Sequence, residues 1–209
     1  MESWNSNVLT VGTTRRSFNM LRQFAGIASA DKPFHLFKGV ELNTLALTIT
    51  PDAIVTSTFG ATGQGLATAA TAPTGATFPA VGTTEVMDAF SGSNTEGGAT
   101  IAVVTEITLN LENGLEPRFV VGSDETLKPS SAKSNVTGQI TVYFENSRLL
   151  DKFIDETASS LTLQIQDPSA NSYTFTLPNI KYTGGQPDVS GEGPITLSMP
   201  FQALCDYAE

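Results

Sequence analysis

The stretch FKGVELNTLALTITPDAIVTSTFGATGQG, residues 37–65, carries the clearest structural signal in the chain. From Thr44 to Thr50, threonines and a small residue alternate with leucine and isoleucine. Alternation places successive side chains on opposite faces of a strand, so this pattern predicts one buried and one wet face. A Pro-Asp turn at 51–52 follows, and the chain then continues into residues dominated by Thr, Gly, Ala and Ser.

Period-two alternation recurs along the rest of the chain and predicts further strands. They are Ala99 to Glu112, Val136 to Phe144, Ser160 to Gln166, Ser172 to Leu177, Ile180 to Tyr182 and Ile195 to Ala203. One helix is predicted between a cap at Asn146 or Ser147 and Thr157, because its apolar residues form a stripe. Phe18 to Ala28 is predicted as a weaker helical or irregular segment. Since no βαβ rhythm is present, the predicted fold class is mainly β with one flanking helix.

Residues 60–98 are short of large apolar side chains and contain many small residues. At about 25 cal/mol per Å² of buried apolar area, they cannot offset roughly 1 to 2 kcal/mol of backbone entropy per residue. A connection this long is therefore unusual inside a compact domain. Two interpretations remain open: the segment stays mobile, or another molecule covers and orders it.

Charge is distributed unevenly along the 209 residues, whose 21 acidic and 11 basic residues give a net charge of -10. This balance argues against a surface built to neutralise phosphates. The first 38 residues hold five of the basic residues, whereas residues 39–117 hold eight acids and no Lys or Arg. Either the basic part of one copy attracts the acidic part of another, or both parts are simply solvated.

The sequence offers little for catalysis or for a metal. The only histidine is His35 and the only cysteine is Cys205, so zinc sites and histidine-dependent nucleophiles lack their parts. The glycines from Gly60 to Gly65 have the wrong order for a dinucleotide fingerprint, and no phosphate-loop Lys follows them. We therefore expect no enzyme activity, no cofactor and no metal, and the absence of a long apolar run predicts no membrane insertion.

Three blocks of the sequence carry a family resemblance. They are the opening stretch 37–65, then VTGQITVYFENSRLLDKFIDETASSLTLQIQDPSANSYTFTLPNIKYTGG at 136–185, and GPITLSMPFQAL at 193–204. In this order they resemble the tail tube (major tail) proteins of long-tailed, non-contractile bacteriophages. The first 36 residues and the segment 60–98 resemble that family less.

The resemblance implies a β-sandwich or barrel-like tail tube fold with one flanking α-helix and a long loop or hairpin insertion. It implies an N-terminal arm at 1–36 and a tail tube β domain at 37–209, with 60–98 as an insertion involved in inter-subunit contacts. It also implies a structural virion protein that self-assembles into hexameric rings stacked head to tail. The stacked rings form the tube through which genome DNA is ejected.

The implied partners are further copies of the chain, the tail terminator and distal tail proteins, and the tape measure protein and passing DNA in the lumen. The implied location is the virion tail, assembled in the host cell cytoplasm. Polar strand faces are the expected lumen lining, since acids repel a polyanion. The lumen candidates are Glu106, Thr108, Asn110, Glu112, Thr48, Thr50, Thr56 and Thr58. The alternative is that these side chains face bulk solvent on the outer wall of the tube. The inter-subunit candidates are Arg15, Arg16, Arg22, Leu66, Phe78, Val86, Met87 and Phe90.

Two alternatives share much of this description. A type VI secretion-like tube protein has the same fold in family terms and also forms hexameric rings. A carbohydrate-binding β-sandwich module has a similar composition, but such a module usually clusters Trp or Tyr residues, and here Trp4 is alone and the four tyrosines are scattered. Composition separates the tube from the carbohydrate module better than it separates the two tubes.

Overall fold

The computed structural model of the chain describes residues 14–78, 80, 82, 85–101, 103–169, 171–189 and 193–204. Within these residues the protein is mainly β with one α-helix, α1, at Arg148–Ile154, which confirms the predicted fold class. The strands are β1 Phe18–Gln23, β2 Phe34–Ile49, β3 Thr56–Thr62, β4 Gly65–Ala69, β5 Asp88–Glu96, β6 Ala99–Thr100, β7 Val104–Glu112, β8 Leu115–Arg118, β9 Leu127–Ser131, β10 Asn135–Tyr143, β11 Ser159–Gln166, β12 Ser172–Tyr182, β13 Gln186–Asp188 and β14 Thr196–Ala203. A short 3-10 turn lies at Ser29–Asp31.

The chain divides into two compact units. Unit 1 comprises Met1–Glu41, Ala61–Ala76 and Glu116–Ser130, and unit 2 comprises Leu42–Gly60, Thr77–Leu115 and Ser131–Glu209. The division runs through the long strand β2, whose residues 34–41 belong to unit 1 and 42–49 to unit 2.

Unit 2 is built on an antiparallel sheet. Its strand order is β2 (residues 42–49), β7, β10, β14, β12, β11, β5 and β6, with β13 beside β14. Among the described residues, no pairing joins β6 back to β2, so the sheet does not close into a barrel through hydrogen bonds. Instead, its strands enclose one hydrophobic core, as in a sandwich.

The core of unit 2 follows directly from the alternation in the sequence. Ile107 on β7 lies opposite Ile140 on β10, and Ile140 lies opposite Met199 on β14. The buried cluster comprises Leu47, Ile49, Ile101, Ile107, Leu109, Ile140, Val142, Leu149, Leu161, Leu163, Ile165, Ile180, Tyr182, Leu197, Met199 and Phe201. The apolar side that alternation predicts within residues 44–50, 99–112, 136–144 and 195–203 supplies these buried residues.

Several boundaries differ from the sequence-based expectations. The segment predicted as weakly helical or irregular at Phe18 to Ala28 contains the strand β1, because residues 18–23 pair with β2. The strand predicted from Ala99 to Glu112 is divided into β6 and β7. The helix ends at Ile154 rather than Thr157, and Glu156 adopts a left-handed φ of 51° that stops it.

Unit 1 has strands but little interior. Residues 34–38 of β2 pair with β1 on one edge and with β4 on the other, and residues from β8 and β9 form a hairpin. Among its described residues only Pro33, Val40, Glu41 and Pro129 are buried. The roles predicted for the arm 1–36 and the insertion 60–98 stay predictions, and residues 1–13 of the arm lie outside the described residues.

Candidate functional site

The outward face of the unit 2 sheet is a continuous polar surface. In one row Thr48 on β2 lies opposite Thr108 on β7, which lies opposite Gln139 on β10. In the next, Asn110 lies opposite Thr137, which lies opposite Gln202 on β14. Directly opposed residues in antiparallel strands point to the same side of the sheet. These rows therefore form one surface, which we call the polar face.

The structure brings the predicted lumen candidates together on the polar face. Glu106, Thr108, Asn110 and Glu112 project from it at two-residue steps along β7, and Thr48 is opposite Thr108. Thr50 continues the Thr48 side just beyond the end of β2 and is half-buried.

Thr56 and Thr58 join the polar face through β3, which also pairs with β2. A Cβ placed on Gly60 would collide with the Thr44 hydroxyl, so Gly60 points to the same side as Thr44. Thr58 and Thr56 follow at two-residue steps along the strand and are exposed. Because Gly60 has no side chain, the β3 backbone can lie close to Thr44 of β2.

Most of the polar face is acidic or neutral. Residues 42–49 of β2 and all of β7, β10 and β14 contain no Lys or Arg. Glu106 and Glu112 are the carboxylates of β7, and the remaining groups are hydroxyls and amides. Lys181 on β12 lies opposite Gln202 and is exposed, so a cation is present at the β12 edge of this surface. The part built from β2, β7, β10 and β14 has no cation to hold a phosphate.

Sequence reasoning did not include the β10 and β14 part of this face. The additional members are Asn135, Thr137, Gln139, Thr141, Ser198 and Gln202. Alternation predicts that Thr137, Gln139 and Thr141 point outward, but only the strand order shows that all six continue the rows begun on β2 and β7. Their side chains are hydroxyls and amides, like those of Thr108 and Asn110.

A bulge on β7 lies directly before Glu106. Thr141 pairs with Glu106 whereas Val142 pairs with Val104, so Thr105 is an extra residue on β7. The Thr105 hydroxyl donates a 3.1 Å hydrogen bond to the Thr141 carbonyl. A bulge of this kind shifts the side-chain alternation by one residue, so Val104 rather than Thr105 shares a side with Ile107, whereas Glu106 follows Thr108 by ordinary alternation.

A second candidate surface lies in unit 1. Met20 on β1 lies opposite Phe37 on β2, which lies opposite Leu66 on β4. Beside this apolar row, Arg22 lies opposite His35. We call these five side chains the unit 1 sheet face, and it contains two of the predicted inter-subunit residues.

Aromatic contacts organise the cationic part of that face. The Arg22 guanidinium lies 4.5 Å from the centre of the Phe24 ring, and the His35 ring meets Phe24 edge-on at 4.9 Å. Stacking of this kind orients a guanidinium without neutralising it. His35 is thus part of a cluster with Phe24 and Arg22.

The other predicted inter-subunit residues are dispersed. Arg15 donates through Nε to Glu41 Oε2 at 2.8 Å, which ties residue 15 to the buried carboxylate of β2 in unit 1. Phe78 and Val86 are exposed, and Met87 packs partly against the core of unit 2. Arg16 also interacts with other residues of the protein. The Phe90 side chain lies outside the described residues.

No helix among the described residues is long and apolar enough to cross a membrane.

A comparison with known protein families gives one match. The model of a family described as phage tail tube protein matches residues 3–203, which is nearly the whole chain. The match agrees with the resemblance that the three sequence blocks carry. A search of curated proteins finds no match.

Proposed function

The chain belongs to the phage tail tube protein family and is a structural component of the virion, and from this premise we propose that six copies form a ring whose polar faces line a DNA channel. Rings then stack head to tail into the tail tube. The polar face carries this proposal, because it is a broad, wet sheet surface to which residues 42–49 of β2 and the strands β7, β10 and β14 contribute carboxylates and no cation, with Lys181 of β12 at its edge.

The chemistry of the polar face suits a passing polyanion. A protein that neutralises 6 to 10 phosphates binds DNA strongly and with steep salt dependence, which would retain DNA in a channel. Hydroxyls and amides interact weakly with phosphates, and the carboxylates of Glu106 and Glu112 repel them. With a charge of -10 per chain, a six-membered ring carries about -60, so the ring as a whole repels DNA.

Unpaired strand edges support closure of the ring. β12 pairs with β14 only at Ile180–Tyr182, so residues 172–179 keep one edge that no described strand pairs with. β1 pairs only with β2 among the described strands. Exposed edges invite pairing with another chain, and ring closure satisfies them.

Within this proposal, the insertion 60–98 and the arm 1–36 contact neighbouring copies. The tube also meets the tail terminator at one end, the distal tail protein at the other, and the tape measure protein in the lumen before DNA enters. Assembly takes place in the host cytoplasm. These partners follow from the role of a tail tube.

The direct test is electron microscopy of the purified protein over a range of concentrations. We expect rings with six-fold symmetry and, at high concentration, stacked tubes. Class averages of a tube should place the polar face toward the bore. A protein that stays monomeric at every concentration, or a tube whose bore is lined by other strands, would overturn the proposal.

A further inference from the structure

Unit 1 lacks the interior that its strands need. Among its described residues, Val40 is the only buried large apolar side chain, whereas unit 2 buries a cluster of sixteen residues. In unit 1 the apolar row of the sheet face remains exposed: 48% for Met20, 38% for Phe37 and 52% for Leu66. A small sheet with an uncovered apolar row is marginally stable in water, so this row is suited to being covered.

The apolar row has a cation beside it. The three paired segments of unit 1, residues 18–23, 34–38 and 65–69, contain Arg22 and Lys38 but no acidic residue. The Lys38 ammonium is paired with Glu125 at 2.8 Å, which leaves Arg22 as the cation of the sheet face. Arg22 lies on the sheet face itself, two residues from Met20 along β1. A partner for this face therefore combines exposed apolar groups with carboxylates.

The charges of the two units identify such a partner. Unit 1 contains seven basic and six acidic residues, which gives +1, whereas unit 2 contains four basic and fifteen acidic residues, which gives -11. Contact between the outer surfaces of two unit 2 copies brings like charges together. Contact between unit 1 of one copy and unit 2 of another avoids that repulsion.

We propose that the unit 1 sheet face, comprising Met20, Arg22, His35, Phe37 and Leu66, docks on the acidic unit 2 of a second copy. This inference rests on the proposed function and identifies a contact between successive rings. The two surfaces differ, so the contact is heterologous and does not close on itself. Heterologous contacts along an axis generate an open filament, as a stacked tube requires.

Methionine oxidation tests the contact in the unmodified protein. Dispersed subunits and tubes are treated with hydrogen peroxide, and peptide mass spectrometry measures the oxidation rate of each methionine. Met20 is exposed in the subunit and Met199 is fully buried, so Met199 is the internal control. We expect Met20 to oxidise about tenfold more slowly in tubes, because a covered thioether is shielded from the oxidant.

The outcomes separate the two proposals. If tubes form and Met20 oxidises as fast as in the subunit, the docking inference fails and the tube function stands. If no rings or tubes form under any condition, the proposed function fails and the inference fails with it. Protection of Met20 in tubes with an unchanged, slow rate at Met199 supports the docking contact.

Two pairs of variants test whether the apolar row and the Arg22 charge of the unit 1 sheet face contribute to the contact. Leu66→Asp places a carboxylate in the apolar row, and Leu66→Met keeps that row apolar. Arg22→Glu and Lys133→Glu change the net charge equally, but the first alters unit 1 and the second unit 2. We expect Leu66→Asp and Arg22→Glu to raise the concentration needed for tubes by about tenfold, and the controls to change it little.

Single rings, visible in micrographs, should persist in the two disruptive variants. Circular dichroism of each variant checks that the subunit remains folded. Tube formation by Leu66→Asp and Arg22→Glu at the wild-type concentration would overturn the proposed docking face.

Discussion

The carboxylate Oε1 of Glu96 lies 2.6 Å from the Lys152 ammonium, and the Glu96 side chain is completely buried. The Ser159 hydroxyl donates to the same oxygen, and Arg148 lies 3.3 Å from Oε2. These groups belong to β5, α1 and the start of β11, so the network fixes the helix on the sheet of unit 2. Burial and then the neighbouring Glu96 charge raise the pKa of Tyr182, which keeps its hydroxyl neutral.

Replacing Glu96 by Gln should destabilise unit 2. The substitution leaves Lys152 without its charged partner in a partly buried position, and breaking a buried ion pair costs about 3 to 5 kcal/mol. Because Lys152 and Arg148 are partly exposed, solvent screening reduces the expected loss to about 2 to 3 kcal/mol. Urea unfolding followed by circular dichroism measures it. Glu145→Gln, at an exposed position, is the matched control, and equal stability of the two variants would contradict the prediction.

Gly138→Ala tests the packing of the core beneath the polar face. Gly138 lies opposite Leu109 and Phe201, and a Cβ there would collide with the Thr108 carbonyl and the Phe201 ring. Overpacking of this kind typically costs about 1 to 3 kcal/mol. Gly26→Ala is the control, because nothing lies within 4 Å of a Cβ at that position.

Thermal unfolding of the two glycine variants separates a steric effect from a general cost of adding a methyl group. A smaller side chain at 201 should partly rescue the variant, so Gly138→Ala with Phe201→Leu should lose less than the sum of the single changes. Strict additivity would argue against a collision between these two positions.

Strands with one buried face were predictable from the sequence, and β11 shows why. Leu161, Leu163 and Ile165 face the core and are separated by residues that are only half-buried. Because every second position is buried, apolar residues recur at every second position of the sequence. β1 was missed for the opposite reason. Its sequence FNMLRQ has exposed residues on both faces, and its pairing with β2 makes it a strand.

The candidate site could be predicted only in part. Alternation on β7 identified Glu106 through Glu112, because each residue's face follows from its own strand. Gln139 and Gln202 belong to the same polar face through strand order, which depends on pairings distant in sequence. The burial of Glu96 could not be predicted from the sequence either. A Glu near Gly97 and Gly98 is typical of an exposed turn, and the partners of Glu96 lie more than fifty residues away in the sequence.

Acidification should weaken the β11–β12 turn through Asp167. Its Oδ1 accepts a 2.8 Å hydrogen bond from the Asn171 backbone N–H, and its Oδ2 accepts one of 2.7 Å from the Asn171 side chain. The Asn171 side-chain bond is the main cause that lowers the Asp167 pKa below its ordinary value of 3.8. Since the folded pKa is depressed, the stabilisation is present above 3.8 and is lost as the pH falls through the folded value.

Asp167→Asn should therefore melt at a lower temperature than wild type at pH 7, and the difference should shrink below pH 3.8. Scanning calorimetry at a series of pH values measures both melting temperatures. Asp188→Asn, an exposed carboxylate on β13, controls for the loss of one negative charge. A difference that is the same at every pH would contradict the role of the ionised carboxylate.

Reversing the charge of the polar face tests the channel directly. Glu106→Lys adds six cations per ring in a hexameric tube, and each phosphate they contact steepens the salt dependence of DNA binding by about 0.9 in log–log slope. We expect tubes of normal length that retain DNA at low salt, with ejection from phage particles slowed and partly restored at high salt.

Glu85→Lys is the control, because it makes the same change of charge on an exposed residue outside the strands of the polar face. Phage particles with this variant should eject their DNA normally. Normal ejection by Glu106→Lys, with the lysine seen in the bore by electron microscopy, would contradict the proposed lining. If both variants slow ejection equally, net charge rather than the channel wall controls DNA passage.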